Sequence, residues 1–132
     1  MSIITGMTDL AHSVWTPAQV RELDRRASAD YGIPGYELMT RAGQAAFGIA
    51  RERWPDARRW LLLCGSGNNA GDGYVVARLA LAAGLDLTVV ALSDPAQLQG
   101  DAATAWRDFE SAGGTTQAFA PLLGADLSLK GE

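Results

Sequence analysis

The chain has 132 residues, 48% of them hydrophobic and 20% charged, with a formal net charge of −4. That balance suits a soluble globular chain long enough to bury a core, and the acidic surplus argues against a nucleic-acid groove. A single cysteine, Cys64, excludes an internal disulfide framework and a cysteine-ligated zinc site, and no apolar run reaches membrane-spanning length or follows a basic leader. The default expectation is a cytoplasmic enzyme or binding module with no nucleic-acid or membrane partner.

Residues 1–13 read as a tail: they have no clear period, contain Gly6 and hold the only histidine, His12. Thr16-Pro17 starts a first helix, with Thr16 as cap and Pro17 at the first helical position. Val20, Leu23, Ala27 and Tyr31 fall on one face of it, and Gly32-Ile33-Pro34-Gly35 breaks it. A second helix runs to about Trp54. Leu38, Ala42, Ala45 and Ile49, with Met39, Ala46 and Ala50 beside them, form its apolar stripe.

Trp60–Cys64 is strand-length and apolar. A glycine-rich turn follows, and then a helix to about Ala83, which Gly84 ends. Leu87–Leu92 is a second, fully apolar strand, as expected of a parallel sheet covered on both faces. Ser93-Asp94-Pro95 caps a further helix carrying Leu98, Ala102, Ala105, Trp106 and Phe109, and Gly113-Gly114 ends it. Thr115–Ala120 is a third strand. Strand–helix–strand–helix–strand is half of a Rossmann-like, doubly wound α/β sheet, here preceded by two helices. Arg25-Arg26, Arg51, Arg53 and Arg58-Arg59 are scattered over solvated faces.

The turn Cys64-Gly65-Ser66-Gly67-Asn68-Asn69-Ala70-Gly71-Asp72-Gly73 is the stretch with chemistry in it. Gly65-x-Gly67-x-x-Ala70 meets the loose dinucleotide fingerprint G-x-G-x-x-G/A. The polar cargo is unusual for that fingerprint, since Asn68, Asn69 and Asp72 stand together beside the same crevice. A carboxylate at a helix start repels a phosphate there, whereas amide oxygens with a carboxylate suit a cation or an uncharged polar group such as a carboxamide. The bland alternative makes Asp72 a helix cap and the asparagines turn formers. Cys64, closing a buried strand, reads as a small core residue rather than a catalytic thiol. Asp94, after the second strand, reads as a helix cap, with a ribose-binding acid as the alternative.

The run from Gly65 to Arg78 resembles the signature loop of the YjeF N-terminal domain family, the NAD(P)H-hydrate epimerases, with Ala70 where that family usually has glycine. Thr16–Asp24 and Gly32–Gly43 resemble its upstream block, and the likeness covers roughly residues 14–127. The resemblance implies interconversion of the two epimers of a damaged nicotinamide cofactor carrying a hydroxyl on carbon 6 of the reduced ring. It also implies that Asn68, Asn69, Ala70, Gly71 and Asp72 line the hydrate site, that Asn69 ligates potassium, and that an ADP-dependent dehydratase domain is often fused or partnered. Asp72 is our own candidate for the catalytic proton carrier, since the aspartate that the resemblance makes catalytic would lie beyond residue 132.

The chain is therefore expected to comprise a tail, residues 1–13, and an incomplete domain, residues 14–132. Ser128–Glu132 does not match the strand that Ala125-Asp126-Leu127 would lead into. A three-stranded half-sheet would expose an apolar edge, which implies a fragment, a truncated relative or completion by a homodimer. Two rivals stand beside the epimerase: a non-catalytic binding or dimerisation module of the same fold, and half of a dinucleotide-binding oxidoreductase.

Overall fold

A computed structural model of the chain describes residues 15–119. The expected tail at 1–13, His12, Ala120 of the expected third strand and the Ser128–Glu132 end lie outside the described residues. The chain divides into two compact units, residues 1–33 and 34–132.

The first unit contributes helix α1, Pro17–Tyr31. Its start is a capping box: Thr16 Oγ1 accepts from the Gln19 amide at 3.2 Å, and Gln19 Oε1 accepts from the Thr16 amide at 2.8 Å. Its end is a left-handed glycine, Gly32, at φ 66°. On its surface Arg25 first, and Arg26 second, bond to Glu22 and hold that exposed carboxyl down at about 2.

The second unit carries α2 (Gly35–Arg53), β1 (Arg59–Cys64), α3 (Asn68–Ala82), β2 (Asp86–Ala91), a short 3₁₀ turn (Pro95–Gln97), α4 (Gly100–Ser111) and β3 (Gln117–Ala118). The sheet is parallel in the order β1-β2-β3, with Leu62 opposite Val89 and Cys64 opposite Ala91. This is the expected Rossmann-like α/β arrangement, with β3 shorter than the sequence suggested. Helix α3 is its hub, touching α2, α4, β1 and β2.

The core is built from Met39, Cys64, Ala70, Tyr74, Val75, Ala77, Val89, Ala105 and Phe109. The Tyr74 and Phe109 rings stand 6.0 Å apart, and Phe47 of α2 packs on Trp60 of β1 at 5.5 Å. Tyr36 donates to Asp108, tying α2 to α4. Burial pushes the Cys64 thiol up to about 11, so it stays protonated at neutral pH and belongs to the core.

Only part of the apolar stripe expected on α2 is turned inward, with Met39 buried and Leu38 half-buried. Ala42, Ala45 and Ile49 are exposed, while Met39 and Gly43 are buried and Tyr36, Phe47 and Ala50 are half-buried. Gly43 explains the rotation. A Cβ there would stand 2.7 Å from Val75 Cβ, so the missing side chain is what lets α3 approach. On β1, Leu61 and Leu63 are 63% and 60% exposed, a row of apolar side chains on a strand paired with β2 alone among the described strands.

Candidate functional site at the strand ends

Helix α3 begins at Asn68, six residues before Tyr74, where a turn running through Gly73 would have released the chain. The turn proper is Gly65–Gly67, and Gly67 caps the helix with φ 81° and ψ −165°. That conformation is essentially reserved for glycine, although a Cβ at Gly67 would meet nothing within 4 Å. Strain alone therefore decides the outcome of a substitution. Gly67→Ala is expected to cost on the order of 1–3 kcal/mol of stability, read from urea unfolding. An unchanged midpoint would mean that the turn has another conformation.

Asp72 is accordingly not the helix cap; it stands at the fifth position of α3, one turn beyond Asn68. At 3.6 residues per turn, Asn68, Asn69 and Asp72 share one side of the helix. The two asparagines are exposed and Asp72 is half-buried and engaged in an interaction of its own. The first amides of α3 add donors, because a helix start has no internal acceptors for them.

Ala70 and Gly71 turn the other way. Ala70 is 2% exposed and belongs to the core. A Cβ on Gly71 would come within 2.5 Å of Met39 Cε on α2 and 3.0 Å of Ala102 Cα on α4. A Cβ on Gly73 would come within 2.8 Å of Cys64 Sγ on β1. The helical glycines are thus points of close packing rather than turn formers, and Ala70 and Gly71 are both buried.

A cavity of about 320 Å³ opens outside the carboxyl ends of β1 and β2, where open parallel sheets bind their ligands. The first turn contributes Ser66, Gly67 and Asn68 to it. The second contributes Ser93, Asp94, Gln97, Leu98 and Gln99. Asp94 caps the 3₁₀ turn, with Oδ1 accepting from the Ala96 amide at 3.0 Å, so the expected cap is observed, on a shorter element than expected. Helix α4 starts only at Gly100. The cavity joins Asn68 with Asp94, whereas Asn69 and Asp72 lie outside its lining. Gln97 and Gln99 carried no signal of their own in the sequence. Only their place after a parallel strand could have marked them.

Residues 35–127 match the family described as YjeF-related protein N-terminus. The chain is 48% identical to the bifunctional NAD(P)H-hydrate repair enzyme Nnr of Escherichia coli over 83% of this chain and 21% of that protein. It is 40% identical to the bifunctional NAD(P)H-hydrate repair enzyme of Leishmania major over 97% of this chain and 23% of that one. Against the NAD(P)H-hydrate epimerase of Rhodopirellula baltica the identity is 39%, over 74% of this chain and 40% of the relative. The chain thus spans about a fifth of the length of the bifunctional relatives. The crystal structure of yeast ynu0, YNL200c, superposes with a TM-score of 0.70 over 81% of this chain and 47% of that one, at 18% identity, a likeness of fold.

Proposed function

We propose that this chain, which belongs to the family described as YjeF-related protein N-terminus, takes part in epimerising the R and S forms of NAD(P)H hydrate. One observation carries the reading: α3 presents Asn68, Asn69 and Asp72 on a single side at the carboxyl end of β1. Inversion at carbon 6 requires the hydroxyl to leave as water, helped by the ring-nitrogen lone pair, and water to return from the opposite face. A carboxyl at Asp72 would give the departing hydroxyl a proton and take one back from the returning water, which balances the exchange. The asparagine amides would hold the ring carboxamide in place by hydrogen bonds fixed before the reaction.

Asn69 is the residue we assign to potassium. Its amide oxygen is a hard oxygen donor of the kind such a cation takes. The cation would add fixed positive charge beside the polar groups of the substrate. A dehydratase acting on the same hydrate, fused or separate, is the partner this reaction would serve.

A second reading, a non-catalytic binding or dimerisation module, is favoured by the exposed Leu61 and Leu63 of β1. Chromatographic relaxation of a pure hydrate epimer, with and without potassium, separates the two. Acceleration above buffer that potassium enhances is the expected result. Dinucleotide binding without acceleration would replace the enzyme by the module.

A further inference from the structure

At the amino end of β1, far from the cavity at its carboxyl end, stands a corner that the epimerisation chemistry does not use. Helix α2 ends at Arg53, residues 54–57 turn, and β1 starts at Arg59. Backbone and indole hydrogen bonds fix the corner. The Trp54 amide donates to the Ala50 carbonyl at 2.9 Å, the Ala57 amide to the Trp54 carbonyl at 3.1 Å, and the Trp60 indole N–H to the Ala57 carbonyl at 3.1 Å. Between them lies an opening of about 260 Å³ lined by Ala50, Trp54, Ala57, Trp60 and Leu61. Trp54 and Leu61 are each 63% exposed, so two large apolar side chains face water across a preformed opening. It is smaller than the pockets of about 300–1,000 Å³ that enclose whole small molecules, and suits one large side chain.

Four arginines are interleaved in the chain with these lining residues: Arg51, half-buried, and Arg53, Arg58 and Arg59, exposed. The negative end of the α2 dipole accounts for Arg51 and Arg53, but Arg58 and Arg59 lie beyond the helix. Three carboxylates stand nearby, Glu52, Asp56 and, opposite Arg59 on β2, Asp86. Among the described residues the ion pairs are those of Glu22 with Arg25 and Arg26 and of Glu37 with Arg41, so none of these four arginines is paired. Arg51 Nη1 is buried without a hydrogen-bond partner, a costly state that an acceptor from outside would relieve.

We propose that this corner docks an acidic segment of a partner protein, with one large apolar side chain seated between Trp54 and Leu61 and flanking carboxylates on Arg51, Arg53 and Arg58. Charge complementarity selects that occupant. Guanidinium forks match carboxylates in geometry. The chain as a whole carries −4, so an anionic membrane or a nucleic acid would be repelled by the rest of its surface, whereas a short segment meets the corner alone. Because the corner lies at the opposite end of β1 from the strand-end cavity, a docked partner leaves that cavity open. The proposal does not depend on the epimerase reading.

Fluorescence anisotropy of a labelled peptide, Asp-Glu-Asp-Leu-Phe-Asp-Glu, tests it. A Kd on the order of 10–100 μM is expected at low salt. Raising the salt from about 0.05 to about 0.5 M should weaken binding about tenfold. The lysine counterpart, Lys-Lys-Lys-Leu-Phe-Lys-Lys, should not bind. Arg53→Glu combined with Arg58→Glu is expected to weaken the acidic peptide by about tenfold or more, and Trp54→Ala by about tenfold. All three positions are exposed, so the unfolding midpoints should stay near the parent's. No binding of the acidic peptide, equal binding of both peptides, or binding that neither variant weakens overturns the proposal. Tighter binding to phosphatidylserine vesicles or to a single-stranded oligonucleotide also overturns it, and assigns the corner to a membrane or a nucleic acid.

Discussion

Gly71→Val is expected to lower the unfolding midpoint of this chain by on the order of 10–20 °C. Two effects compete at that position. Glycine inside a helix costs about 0.5–1 kcal/mol relative to alanine, so any side chain recovers part of that through propensity. Against this, the first carbon alone would stand 2.5 Å from Met39 Cε and 3.0 Å from Ala102 Cα. Met39 is unbranched and can move aside. Ala102 Cα is backbone, 1% exposed as a residue, and yields only if α3 and α4 separate. Valine adds two methyls to that conflict, and overpacking of this kind costs about 3 kcal/mol, several times the propensity gain. A domain of this size has about 5–15 kcal/mol in hand, so the loss is large but not total, and at a few degrees per kcal/mol it gives the stated shift. Met39→Ala in the same chain is expected to restore part of it, because it removes the soft half of the clash. A midpoint within 2 °C of the parent would mean that the three helices do not meet closely at Gly71.

The same glycine marks where the sequence was legible and where it was not. Strand β1 announces itself as a short apolar block of strand length and helix α3 by its helical spacing, and the switch between them at Cys64–Gly67 fixes the α/β class. What periodicity cannot show is an absent side chain doing structural work. Gly43, Gly71 and Gly73 resemble turn formers or neutral gaps in a string of letters, yet each is a place where another element comes within 3 Å of a missing Cβ. Hence α3 starts at Asn68 rather than after Gly73, and α2 buries Met39 and Gly43 rather than Ala42 and Ile49. The polar residues were legible individually but not in their grouping. Asn69 and Asp72 join through one helix, while Asn68 meets Asp94 only because β1 and β2 are neighbours in register. Gln97 and Gln99 enter the cavity through loop geometry, which no local pattern encodes.

Asp72→Asn is expected to slow epimerisation by about a hundredfold or more while leaving the fold in place. The amide matches the carboxylate in size and keeps hydrogen-bonding capacity. Its half-buried position on the open side of α3 keeps the stability change within about 1 kcal/mol. What the amide lacks is a proton to give and a lone pair basic enough to take one. General acid–base catalysis contributes about 10²–10⁴ to such reactions, so the loss should appear in the rate of epimer relaxation and not in dinucleotide affinity. The pH profile separates this role from mere positioning. A pH-dependent limb of the rate that the unaltered chain shows should vanish in Asp72→Asn, leaving a flat, low rate. Asn69→Ala, by contrast, is expected to weaken the potassium enhancement and keep the limb. Full turnover by Asp72→Asn would remove Asp72 as the proton carrier and move that role to a group outside α3.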